Sequence, residues 1–303
     1  MSQHPLARLG WRAELQIDLD ALGDPSLVAA RVTAVDRGSV LADAGGGAWR
    51  APLAGRLQRA GAVPAAGDFV AAVPDGPVRA VLPRSGVIAR RVKGGRPQVL
   101  AANVDLALVA TSPNRDLNPR RLARFLAVTT RGGVDAVVLL TKADLVDDPD
   151  SVAAEVQAGL DGTPVVPVSP LDGTGMDAVR ALLEPRRTAV LLGTSGVGKS
   201  TLLNELLGEE RQATKAIRAS DDRGRHTTVR RELVPLPGGA LLVDTPGLRL
   251  VAPLDDGDAP VPLLDKAQVK RERRARERAF HRGVYREMRE RKRSREARDN
   301  RRG

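Results

Sequence analysis

The sequence predicts an α/β protein. Its main body is a mostly parallel sheet with helices on both faces, the ligand sitting at the carboxyl ends of the strands. Three observations carry this. From residue 105 onward, apolar runs of strand length alternate with helical segments. One strand–helix junction holds Gly193-Thr194-Ser195-Gly196-Val197-Gly198-Lys199-Ser200, which fits the phosphate-loop pattern G-x-x-x-x-G-K-[ST]. Ahead of that body, residues 28–95 read as short strands separated by Gly- and Pro-rich turns, the pattern of a small β-barrel.

Taken in order, residues 1–27 are a poorly patterned lead-in containing Trp11. Barrel strands are predicted at 27–35, 39–42, 48–51, 68–73 and 78–82, with one short helix at 53–60. Residues 90–97, Arg-Arg-Val-Lys-Gly-Gly-Arg-Pro, read as a linker. Strands are then expected at 105–111, 136–141, 164–168, 188–192, 231–235 and 240–244. Helices are expected at 119–131, 150–160, 175–183 and 201–207. From Asp265 the chain reads as helix, with Phe280, Val284 and Met288 in a narrow apolar stripe.

The motifs specify the chemistry. Glycines at 193, 196 and 198 let backbone N–H groups turn toward phosphate oxygens, Lys199 reaches the β/γ-phosphates, and the Ser200 hydroxyl is placed to ligate Mg²⁺. Thr141-Lys142-Ala143-Asp144, at the end of an apolar run, resembles the guanine-reading motif of GTPases, whose Asp accepts two hydrogen bonds from the base edge. Adenine lacks those donors, and a site built to pair a polar edge rejects a mismatched one strongly. Val168-Ser169-Pro170 resembles the shorter guanine loop, Arg225-His226-Thr227-Thr228 the first switch, and Asp244-Thr245-Pro246-Gly247 the second. An ordinary GTPase runs phosphate loop, switches, then base-reading loops. Here the base-reading pair comes first and the switches last, so the order is circularly permuted.

That order resembles the ribosome small-subunit-dependent GTPase A family. So do Ser220–Thr228, Gly196–Asn204, Val99–Asp105 and Asn118–Leu122, and the likeness covers roughly residues 28–250. The resemblance implies a circularly permuted P-loop GTPase domain at 98–252, an N-terminal OB-fold barrel at 28–95, and a basic helical tail at 265–303. It implies a late assembly factor of the small ribosomal subunit that binds GTP/GDP and Mg²⁺ and hydrolyses GTP when it meets that subunit. The cofactor set is then Thr141, Lys142, Asp144, Ser169, Gly193, Ser195, Gly196, Val197, Gly198, Lys199, Ser200, Thr201, Asp244 and Gly247. Ser200, Asp244 and Thr227 or Thr228 complete the Mg²⁺ shell, and Lys199, His226 and Thr228 serve catalysis. Leu248 stands where many GTPases place a water-orienting Gln, which makes His226 the candidate for that task. Relatives carry a Cys/His zinc module after the GTPase domain; with no Cys and only His4, His226 and His281, no zinc is expected here. Pro170 replaces an Ala of the family and has no N–H for the guanine oxygen, leaving the Leu171 N–H or the Ser169 hydroxyl to serve.

Composition narrows the class further. Zero cysteines exclude disulfides, and no apolar run reaches membrane-span length, so a soluble cytoplasmic protein is expected. A monomer is expected as well. The formal charge is +11, and residues 266–303 hold 17 Lys/Arg against 6 Asp/Glu, so the remaining 265 residues balance at 31 and 31. A neutral body with a cationic tail favours contact with RNA, and the resemblance implies that this is ribosomal RNA. Six aromatics in the chain leave no base-stacking platform, so a barrel contact would read RNA backbone through Arg56, Arg59, Arg84, Arg90 and Arg91. Two other readings remain open: a P-loop enzyme using another nucleotide, and a non-catalytic RNA-binding assembly protein with a retained nucleotide pocket.

Overall fold

The computed structural model describes residues 4–36, 38–59, 63–91, 97–113, 117–208 and 231–244. The lead-in is more structured than its sequence pattern promises. A 3-10 turn at Ala7–Leu9 and helix α1 (Glu14–Asp20) bury Leu6, Leu9 and Leu15 against the main core.

Five strands then form the barrel: β1 (Val28–Asp36), β2 (Ser39–Asp43), β3 (Ala48–Pro52), β4 (Phe69–Ala72) and β5 (Val78–Val81), with α2 (Gly55–Arg59) between β3 and β4. Strand β1 pairs antiparallel with both β2 and β4, β2 with β3, and β4 with β5. A parallel bridge from Leu53 to Val78 brings the end of β3 to β5 and closes the ring. That order, with a helix after the third strand, is the OB-fold arrangement. Alternation along β1 fills two cores at once. Ala30 and Val32 join Val40, Ala42, Val70 and Val78 inside the barrel, whereas Ala29, Phe69 and Ala71 face the core of the main body.

The linker expected at 90–97 is corrected: Arg90, Arg91 and Pro97 belong to an antiparallel strand pair, β6 (Val87–Arg91) and β7 (Pro97–Ala102). The main body follows as β8 (Leu106–Thr111), α3 (Pro119–Arg131), β9 (Asp135–Thr141), α4 (Pro149–Ala158), β10 (Val165–Val168) and α5 (Met176–Leu182). It continues with β11 (Thr188–Gly193), α6 (Lys199–Leu207), β12 (Glu232–Pro235) and β13 (Leu241–Asp244). The sheet order is β10-β9-β8-β11-β13-β12, parallel from β10 through β13 with β12 antiparallel at the end. At Ala34↔Glu232, β1 pairs with β12, so the barrel extends the same sheet.

Both faces of the sheet are covered. Ala107 and Val109 of β8 share a core with Leu122, Phe125 and Ala153 of α3 and α4. Leu106, Leu108 and Ala110 pack instead with Met176, Val179, Leu202 and Leu206 of α5 and α6. Strands buried on both sides explain the unbroken apolar runs in the sequence. Helix α3 begins where it was expected because Asn118 accepts from the Arg121 N–H at 3.1 Å and Pro119 occupies the first turn. Among the described residues no helix is long and apolar enough to cross a membrane.

Candidate nucleotide site

Strand β11 is buried along its whole length between β8 and β13, so its carboxyl end delivers the glycine-rich loop to the sheet's upper edge. Gly193, at φ +143°, lies so close to β8 that an added Cβ would stand 2.6 Å from the Ala110 carbonyl oxygen. Gly198 adopts a left-handed conformation as the N-cap of α6 and offers no side chain to the first-turn amides. Those amides are therefore left for an anion, and the helix dipole favours one there.

Lys199 opens α6 and folds back over the loop. Its Nζ donates to the carbonyls of Gly193, at 2.9 Å, and of Thr194. Burial lowers the Lys199 pKa, and the nearby Asp244 carboxylate at the end of β13 opposes that shift. Ser200 follows on the exposed side of the helix. A serine hydroxyl and an aspartate carboxylate are hard oxygen donors, the kind that suits Mg²⁺ rather than a soft metal.

The 141–144 segment is drawn to the same edge. Thr141 ends β9 beside Val168 of β10, and its hydroxyl contacts the carbonyls of Thr111 at 2.8 Å and Val197 at 2.6 Å. Lys142 turns the chain at φ +56°, and the 3-10 turn Ala143–Leu145 presents Asp144 to solvent. The Thr111 carbonyl, on which Thr141 leans, escaped the sequence reading because a backbone acceptor leaves no residue-type signal.

The shorter loop closes on itself. Buried Ser169 receives the Leu171 N–H at 3.3 Å, and its own N–H donates to the Thr174 carbonyl at 2.8 Å. The Thr174 backbone N–H holds the Asp172 carboxyl below its usual range, with the Thr174 and Ser169 hydroxyls adding to the effect. Both groups nominated to replace the missing Pro170 N–H are thus engaged within the loop.

Thr141, Lys142, Asp144, Ser169, the 193–201 segment and Asp244 therefore gather at the carboxyl ends of β9, β10, β11 and β13. His226, Thr227, Thr228, Gly247 and Leu248 lie outside the described residues, as does the basic tail 265–303. Among the barrel arginines, Arg84 is corrected to a structural role. It grips buried Asp68 through two bonds of 2.7 and 2.6 Å, while Arg90 donates to Gln98 at 3.0 Å.

A family model described as RsgA GTPase matches residues 81–252. A Syntrophotalea carbinolica protein named small ribosomal subunit biogenesis GTPase RsgA is 40% identical over 260 residues, covering 80% of this chain and 71% of its own. A Streptomyces avermitilis protein of the same name is 43% identical over 257 residues, covering 82% and 69%. Among solved structures, YjeQ from Thermotoga maritima aligns with a TM-score of 0.54 at 24% identity, over 73% of this chain and 75% of that one. YloQ, titled a circularly permuted GTPase, aligns at 0.50 and 22% identity, over 74% and 72%. These two likenesses speak for the fold, permutation included. With the model match spanning more than half the sequence and relatives at this identity over most of their length, the chain belongs to the RsgA GTPase family.

Proposed function

We propose that this chain hydrolyses GTP to GDP and phosphate while serving the biogenesis of the small ribosomal subunit, the task that its relatives' names carry. One observation carries the nucleotide half of that reading: Thr141 ties the base-reading strand end to Val197 inside the phosphate loop, so one ligand can span both. Asp144 reads the guanine edge, with Thr141, Lys142 and Ser169 shaping the pocket. The amides from Gly193 through Thr201, including Ser195, Gly196, Val197 and Gly198, cradle the phosphates. Lys199 trades its two loop carbonyls for phosphate oxygens, whose negative charge favours the ammonium that burial disfavours.

Ser200 and Asp244, with Thr227 or Thr228, would hold Mg²⁺, which when bound offsets the negative charge of the phosphates. His226 orients the attacking water in place of the Gln that Leu248 replaces. Lacking that Gln, the enzyme is slow alone and depends on the subunit to order its switches. The reading keeps the division into lead-in 1–27, barrel 28–95, nucleotide domain 98–252 and tail 265–303, with a cytoplasmic monomer contacting ribosomal RNA through the tail.

GTP turnover by the full chain, measured with and without purified small subunits, tests the proposal. Stimulation by the subunits is expected. Nucleotide binding with no turnover in either condition would favour the non-catalytic assembly protein.

A further inference from the structure

Arg31 belongs to barrel strand β1, yet its side chain is 1% exposed and lies outside the barrel's own core. One terminal nitrogen donates to the Leu9 carbonyl of the lead-in at 2.8 Å. The other reaches the Thr188 hydroxyl at 3.1 Å and the Asn103 carbonyl at 3.4 Å. The guanidinium stacks 4.3 Å above the Phe69 ring of β4, and its Nε finds no acceptor among the described residues. One guanidinium thus joins the lead-in, the barrel, the turn before β8 and the foot of β11.

The backbone is shaped around that group. Gly67, at φ +87°, leaves room beside it, since an added Cβ would stand 2.3 Å from the Ala102 carbonyl and 3.3 Å from the guanidinium. Burial pushes the Arg31 pKa down to about 10, with the Asp105 and Asp68 carboxylates pulling it back up, so the group stays charged at neutral pH. Burying a guanidinium with one donor unmatched is costly, and an apolar side chain of similar volume would avoid that cost. A planar fork supplies what an apolar residue cannot, which is several chain segments held at fixed spacing.

Thr188 is where that fork meets the nucleotide site. It is the first residue of β11, whose last residue is Gly193 of the phosphate loop. Arg31 holds its hydroxyl, while Asp105 clamps its backbone from β8's side: the Thr188 N–H donates to the Asp105 carboxylate at 2.9 Å, and the Asp105 N–H to the Thr188 carbonyl at 2.8 Å. A strand buried on both faces transmits its register, and register decides whether Gly193 meets Ala110 and whether Lys199 can cover the loop.

We infer that Arg31 is a positioning residue for the phosphate loop, acting from the barrel through the Thr188 hydroxyl at the foot of β11. The inference rests on the guanine-nucleotide reading above. It predicts a selective defect: loosening the foot should weaken the hold on the phosphates and spare the hold on the base, which sits on the loops after β9 and β10.

The test uses the full chain and two changes at one position. Thr188→Val removes the hydroxyl with little change of shape, and Thr188→Ser keeps it. Affinities for GDP and for guanosine are measured by competition against a fluorescent GDP analogue. Thr188→Val should bind GDP about 2- to 30-fold more weakly, the range for changes along a coupling network, with guanosine unchanged. Thr188→Ser should stay near the unaltered chain, and in an Arg31→Met background Thr188→Val should add nothing. If Arg31→Met does not fold, the Thr188 pair decides alone. Unchanged GDP affinity in Thr188→Val, a parallel loss of guanosine, or equal losses in Thr188→Val and Thr188→Ser would each overturn the inference. Failure of the unaltered chain to bind GDP would instead bring down the nucleotide reading beneath it.

Discussion

The Thr141 hydroxyl lies 2.6 Å from the Val197 carbonyl oxygen, joining the base-reading strand end to the phosphate loop across 56 residues of chain. The same oxygen also contacts the Thr111 carbonyl, so a single hydroxyl proton is shared between two acceptors. Circular permutation rearranges the connections between strands and leaves their carboxyl ends together, which is why a contact between the two halves of the site can persist. Thr141→Val should remove it at nearly constant volume. An unfolding free energy lower by about 1–3 kcal/mol is expected from buried carbonyls losing their donor, together with weaker nucleotide binding. Denaturant titration and GDP binding check the two parts separately.

Specificity should turn on Asp144, which projects from an exposed 3-10 turn. The loop after β10 spends the Leu171 N–H on Ser169, so the carboxylate should carry much of the discrimination. Asp144→Asn converts two acceptors into one acceptor and one donor. GTP affinity should fall by about 10- to 100-fold, as for loss of hydrogen bonds to a charged group, and xanthosine triphosphate should gain. Unchanged GTP affinity would remove Asp144 from the base site.

Lys199 gives a prediction in pH. Its folded pKa lies below its unfolded value because burial disfavours the ammonium. Between those two values the unfolded chain binds more protons, so this group's contribution to stability rises as pH rises through that window. Phosphate bound in the loop should bring the pKa back up, since an opposite charge favours the ammonium. Nucleotide binding at alkaline pH should therefore take up protons, seen as a dependence of the calorimetric enthalpy on the buffer's ionisation enthalpy. A binding enthalpy independent of buffer would refute this account, and Lys199→Ala should abolish tight triphosphate binding.

Much of this architecture was legible because strands β8, β9 and β11 are apolar between their end residues and the starts of α3 and α4 carry capping residues, Asn118 and Asp148, followed by proline. The lead-in was not legible. Leu6, Leu9 and Leu15 are spread over a 3-10 turn and a seven-residue helix, too short for either to show a period. Glycine and charge masked the hairpin of β6 and β7, whose ends bear Arg90, Arg91 and Pro97. At the site, the motifs named the residues that gather there. The folded-back Lys199 and the closed Ser169–Asp172 loop depend on backbone carbonyls and amides, which sequence patterns do not encode.

His226 sits beside the switch threonines in sequence and stands in for the missing Gln in the proposed mechanism. His226→Ala should leave GTP and GDP affinity intact. Subunit-stimulated turnover should drop by about 10²–10³-fold, the loss typical of removing one positioned group from a transition state. Stimulated turnover that survives the change would assign His226 a structural role.

The tail accounts for the whole formal charge of the chain, since the +11 of residues 266–303 equals the total. Removing it should leave GTP binding nearly intact, because every nucleotide motif ends by Gly247. Association with the small subunit or its RNA should weaken sharply, for an electrostatic reason: cationic side chains displace condensed counterions from the phosphate backbone. If the tail neutralises roughly six to ten phosphates, affinity of the full chain should fall about 10³–10⁵-fold between about 50 and 200 mM salt. The shortened chain should show a much shallower slope. Arg84, spent on Asp68, cannot take over the lost contacts, and the exposed Arg59 of α2 is one charge against the tail's eleven. Equal affinities and equal slopes for the two chains would place the RNA contact on the barrel.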